Sequence, residues 1–142
     1  MTSPQVEATI ELVSSIKRIL VVHDGTADLE KVAAELKKQC AGALVIIRSG
    51  VDFTATDLLP ADAFFFGCAS SKPASFAELE RVLKGINLAG KPCGLFALEG
   101  GKPIMYLQSI VKDADLAVNP ATRVSSSVEN LGAWVSETLE GR

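Results

Sequence analysis

The chain is predicted to be an α/β protein, with a parallel sheet covered by helices on both faces. Two observations carry this expectation. Five short apolar runs alternate with helical stretches along 142 residues. The first is a continuous apolar run, as in strands buried on both faces. Successive parallel strands need a right-handed crossover, and each crossover lays a helix on one face of the sheet. The length suits one domain with a sizeable core, and no internal repeat or low-complexity tract divides it.

Residues 1–16 read as a helix. Ser3-Pro4 suits a cap followed by proline in the first turn, and Val6, Ile10, Val13 and Ile16 recur on one face. This extra helix is expected to be appended to a domain of residues 17–142. Its apolar face packs on that domain or makes a dimer contact. Arg18–His23 is the first strand, with Ile19, Leu20, Val21 and Val22 as its apolar run. Asp28–Cys40 is a helix with Asp28 as N-cap and Val32, Ala33 and Leu36 facing inward; Gly42 follows its end. Ala43–Ile47 is the second strand, and residues 48–60 are mostly loop. Ala63–Gly67 is the third, more aromatic strand. Ser75 caps a helix through Lys84, with Glu78 in the capping-box position. Pro92–Ala97 is the fourth strand, Pro103–Lys112 a helix and Leu116–Asn119 a short fifth strand. Ser127–Leu139 closes the chain as a helix with Val128, Leu131, Val135 and Leu139 on one face.

Composition excludes several function classes. The net charge is −3, from 14 basic and 17 acidic residues, with no basic run. That is not the footprint of a nucleic-acid binder. The longest apolar runs, such as Ala43–Ile47 and Ala63–Phe66, are too short to span a bilayer. The opening MTSPQVEATIELVSSIKR lacks the basic start and apolar block of a secretory signal. Cys40, Cys68 and Cys93 are widely spaced and odd in number, so a reduced, cytoplasmic setting is expected, with no metal site.

In open parallel sheets, ligands sit beyond the carboxyl ends of the strands. The loops to inspect are therefore 23–28, 67–75 and 97–103. The first lies in VVHDGTADLEKVA, where an apolar strand meets a glycine, a threonine and a helix start. That is the layout of a loop that cradles phosphate with backbone N–H groups and the helix dipole. The same loop carries Asp24 and Asp28, whose charges oppose a phosphate.

Three stretches make the chain resemble the flavodoxin family over nearly all of residues 17–140. ILVVHDGTADLEKVAAEL is similar to the family's first strand, phosphate loop and first helix. DLLPADAFFFGCASS is similar to its third strand and following loop, often ending in Gly-Cys-Ser-Thr-Trp. GKPCGLFALEGG is similar to its fourth strand and flavin-edge loop. The resemblance implies a three-layer sandwich with strand order 2-1-3-4-5, FMN at the carboxyl edge of the sheet, and electron transfer with a redox partner rather than enzymatic catalysis. Residue by residue, it puts His23, Asp24, Gly25 and Thr26 at the phosphate loop. Cys68, Ala69, Ser70 and Ser71 fall beside the ring, and Leu98, Glu99, Gly100 and Gly101 flank it.

The departures from the family pattern bear on the cofactor. The first loop is shorter by about one residue, and only Gly25 and Thr26 match in type. The Asp28 carboxylate is expected to occupy N–H groups a phosphate would need, and Leu29 stands where the family has a hydroxyl. Ser71 replaces one stacking aromatic, and no aromatic lies in the 98–101 loop, where Glu99 adds negative charge. Tyr106 and Trp134 fall within helices and are expected to be packing residues. Two readings stay open: an FMN electron carrier with an atypical site, or a flavin-free binding or regulatory module on the same fold.

Other chemistries fit less well. His23 is the single histidine; small tetrapyrrole chelatases place one after a similar strand, but a lone imidazole binds metal weakly. It is expected to line the pocket or bond a backbone group. Asp24 suggests a receiver domain, which needs an aspartate where this chain has Gly67 and a lysine where it has Asn119-Pro120. Cys68, with Lys72 nearby, has the option of a lowered pKa, although a half-buried packing role is favoured. Flavin reduction by NAD(P)H is a further option, with no nicotinamide motif to support it.

Overall fold

The computed structural model describes residues 16–140. The predicted N-terminal helix lies outside the described residues, apart from Ile16, which is buried. Six strands and four helices follow: β1 Arg18–His23, α1 Ala27–Gln39, β2 Leu44–Ser49, β3 Ala63–Cys68, α2 Ala77–Leu83, β4 Lys91–Ala97, α3 Lys102–Val111, β5 Leu116–Val118, β6 Arg123–Val124 and α4 Leu131–Leu139. Single 3-10 turns form at Ala55–Asp57 and Ala74–Phe76. The sheet runs β2-β1-β3-β4-β5, with β6 also on β4. Every pairing is parallel. This is the expected three-layer α/β sandwich.

Alternate residues of each strand feed two cores, because successive side chains point to opposite faces. Ile19, Val21, Phe65 and Phe96 meet α1 and α4 through Leu29, Leu36, Leu131 and Trp134. Leu20, Val22, Phe64, Phe66 and Leu95 meet α2 and α3 through Leu79, Leu83, Leu107 and Ile110. The aromatic strand AFFFGC is buried throughout, so β3 is the shared wall of both cores. Cys93 is fully buried as expected.

Four local expectations are corrected. The first helix is capped at Thr26, not Asp28. The Asp24 carboxylate accepts the Thr26 N–H, so the chain turns earlier and Asp28 falls in the first turn, where its charge suits the helix dipole. Ser75 does not cap α2; a 3-10 turn precedes the helix, and the Ser75 hydroxyl donates to the Asp24 carbonyl instead. Glu78 is held by Arg81 at 2.6 and 2.9 Å rather than reaching back to a cap.

The last helix begins at Leu131 rather than Ser127. Asn130 adopts a left-handed φ of 59°, and the Arg123 guanidinium draws in the carbonyls of Ser127 and Glu129. Residues 127–130 therefore form a loop, and Val128 is exposed. The predicted fifth strand, Leu116–Asn119, forms as β5 on the start of β4, and a further short strand, β6, pairs with the end of β4.

Candidate functional site

The register places one row of residues across the carboxyl edge. Ser49, His23 and Gly67 stand level on β2, β1 and β3. Phe96 and Arg123 continue the row on β4 and β6. The Phe96 ring lies over Gly67, whose missing side chain leaves the space the ring fills. The glycine that the sequence suggested as part of a ring-binding loop is thus used for packing.

Beyond this row, the loop after β1 is closed by its own side chains. The Gly25 N–H donates to His23 Nδ1 at 3.0 Å, and the Thr26 N–H donates to Asp24 Oδ1 at 3.0 Å. The other Asp24 oxygen accepts the Ala69 N–H, from the loop after β3, at 2.8 Å. One carboxylate therefore bridges the two loops. Gly25 permits this path, since its φ is +92°. A phosphate on those N–H groups would have to displace the Asp24 carboxylate. No side chain caps the start of α1; Asp28 is exposed and makes no such contact, so the expectation that it occupies N–H groups is transferred to Asp24.

His23 is buried with 5% of its surface exposed. Accepting this hydrogen bond at Nδ1 requires the neutral ring, protonated at Nε2. Burial lowers its pKa from the ordinary value, opposed in part by the Glu30 and Asp24 carboxylates. His23 thus bonds a backbone group, one of the two expected roles. Among the described residues, no three His, Cys, Asp or Glu side chains gather to hold a metal.

The remaining predicted residues divide by exposure. Cys68 is fully buried; its thiol sits 3.7 Å from the Pro103 carbonyl. Burial, with the Asp24 charge, pushes its pKa up to about 12, so the lowered value considered from Lys72 does not occur. Ala69 is held by Asp24, while Ser70, Ser71, Glu99, Gly100 and Gly101 are exposed. Leu98 packs partly against the α1/α4 core. The two loops beside β3 and β4 thus present hydroxyls, backbone and a carboxylate, with no aromatic face.

Tyr106 and Trp134 do not supply one. Tyr106 tilts against Phe76 at 6.5 Å and donates to Glu80. Trp134 lies 5.4 Å from Phe65, and its indole N–H donates to the Ala121 carbonyl at 2.6 Å. Both are packing residues, as expected. Sequence reasoning missed Arg123, which lies between the fifth strand and the last helix, where no element was expected. Thr122 and Val124 are β-branched, but two paired residues are too few to carry a strand pattern.

No protein-family model matches the sequence, and no curated protein does. Solved structures do. The chain is similar to a short-chain flavodoxin associated with a non-canonical PDU bacterial microcompartment, with a TM-score of 0.72 at 16% identity over 88% of this chain and 97% of that one. It is similar to oxidised flavodoxin 2 from Bacillus cereus, with a TM-score of 0.68 at 16% identity over 87% and 94%. A Fusobacterium nucleatum flavodoxin variant bound to flavin mononucleotide matches with a TM-score of 0.61 at 14% identity over 89% and 92%. At these identities the likeness establishes the fold, which is flavodoxin-like.

Proposed function

We propose that this chain is a flavin-free binding or regulatory module on the flavodoxin-like fold. One observation carries the reading: the Asp24 carboxylate already holds the Thr26 and Ala69 N–H groups that an incoming phosphate would use. A bound carboxylate both fills the position and repels a second anion. Loss of the stacking aromatics acts in the same direction, since each such pair contributes about 1 kcal/mol beyond its buried area. On this reading, an FMN phosphate meets N–H groups already used by Asp24, and its ring meets no aromatic partner.

The second reading, an FMN-dependent electron carrier, draws support from Gly25 and Gly101. Both have positive φ at the edge and leave backbone open to a ligand. The structural neighbours, one of them bound to flavin mononucleotide, favour it too. In that case Gly25, Thr26, the 68–71 loop and the 98–101 loop would hold the cofactor, and a redox protein would be the partner.

An FMN titration of the purified chain separates the two, read by flavin fluorescence and visible absorbance. The expected outcome is no saturation up to about 1 mM, an affinity weaker than about −4 kcal/mol. One-to-one binding in the micromolar range with quenching overturns the flavin-free reading.

A further inference from the structure

The amino edge of the sheet lies opposite the loops described above, and there the α1/α4 core is least closed. Leu29, Val32 and Leu36 in the middle of that core are fully buried, whereas Ile16, Cys40 and Leu139 at its rim keep 9, 7 and 8% of their surface. Ala43 packs partly against the same core, and its neighbour Leu44 stands 51% exposed at the start of β2. The Leu44 N–H donates to the Lys17 carbonyl. This apolar rim therefore adjoins the point at which the chain enters β1.

Three observations name an occupant for the rim. Val6, Ile10 and Val13 share one face by sequence spacing, and Ile16, the next member of that stripe, is packed in the α1/α4 core. Charge agrees. Residues 1–15 carry Glu7 and Glu11 and no lysine or arginine, while the last turn of α1 presents Lys37 and Lys38. Both lysines are exposed, and neither enters an ion pair among the described residues. Finally, a segment joined directly to β1 meets the rim at an effective concentration of about 1 mM, far above that of a second copy in a micromolar solution.

We propose that the occupant is residues 6–15 of the same chain, docked as a helix that lays Val6, Ile10 and Val13 over Cys40, Ala43 and Leu44. The acidic segment then lies beside the basic end of α1, and the stripe that Ile16 begins inside the core continues along its rim. The contact closes the amino edge and leaves the loops at the carboxyl edge free to bind. It is independent of FMN, which would sit at the opposite end of the strands.

The test is paramagnetic broadening of NMR signals in the full chain. Ala8→Cys puts a nitroxide on the side away from the stripe, and the native thiols are buried. In ¹⁵N-labelled protein carrying the nitroxide, the amide signals of Lys38, Cys40 and Leu44 should broaden strongly. That of Val51, past the other end of β2, should not. A mixture of nitroxide-bearing unlabelled chain with unmodified ¹⁵N-labelled chain should show no broadening at the rim. Ile10→Ser, or Lys37→Glu together with Lys38→Glu, should lose most of the effect seen within one chain. Absence of selective broadening at the rim overturns the proposal. So does rim broadening in the mixture, which makes a second copy the occupant. The two nitroxide samples decide alone if a further variant does not fold.

Discussion

At the residue scale, Asp24 is an anion supplied by the chain itself. It satisfies two backbone donors from different loops, which ties the end of β1 to the end of β3. Asp24→Ala leaves both donors without an acceptor and should cost about 2–4 kcal/mol in urea unfolding, two charge-assisted bonds at the magnitude typical of such contacts. The same variant opens the position to external anions. Inorganic phosphate should recover part of the lost stability in Asp24→Ala and leave the wild type unchanged. Equal phosphate responses in the two proteins would show that the carboxylate does not occupy an anion position.

His23 makes the same loop sensitive to pH. Its folded-state pKa lies below the unfolded value of about 6.5, chiefly because the ring is buried. The unfolded chain therefore takes up the proton first as pH falls. Stability from the neutral ring is complete above the unfolded value and is lost as pH drops through the lowered folded value. Protonation at Nδ1 also removes the acceptor of the Gly25 N–H. Urea melts between about pH 7 and 5.5 should show declining stability, and His23→Gln should flatten that slope. An unchanged slope would assign the pH dependence to other groups.

At the element scale, strand and helix order was legible because it rests on hydrophobic pattern, which few side chains can mimic. Arg18–His23 and the strand AFFFGC are examples: each is an apolar run bounded by polar turns, and each forms where expected. The helix starts were less legible. Thr26, not Asp28, begins α1 because a tertiary bridge from Asp24 to Ala69 fixes the turn, and no local pattern encodes that bridge. Ser75 looked like a cap, but its hydroxyl reaches the Asp24 carbonyl. β6 escaped notice because two residues carry no periodicity. Gly67 shows the same limit: its type matched a loop motif, while its physical role is to admit the Phe96 ring. Gly67→Ala should therefore cost about 2 kcal/mol or more by overpacking. In a double-mutant cycle with Phe96→Ala, that cost should shrink, because the second change removes the obstructing ring. Strict additivity would place the strain elsewhere.

At the scale of the whole molecule, the two cores close on the sheet from opposite sides. β3 is buried along its length, and the β1 loop is satisfied by His23 and Asp24. On the proposed flavin-free reading the fold has little free energy to gain from flavin, and thermal unfolding measures that gain. A ligand that binds only the folded state stabilises it by RT ln(1 + [L]/Kd), about 2.7 kcal/mol when the ligand is at 100 times Kd. For a chain of this size each kcal/mol raises Tm by about 3 °C. Flavodoxin-like binding with Kd of about 1 μM would then raise Tm by about 8 °C at 100 μM FMN. Affinity weaker than about 1 mM would leave a shift well under 1 °C at the same concentration. The small shift is expected. Asp24→Ala, although less stable at the start, should show the larger response to FMN, because the phosphate position is then vacated while Gly25 and the start of α1 remain. If neither protein responds, the missing aromatics alone exclude flavin. If the wild type responds as strongly as the variant, the Asp24 carboxylate gives way readily and the electron-carrier reading replaces the flavin-free one.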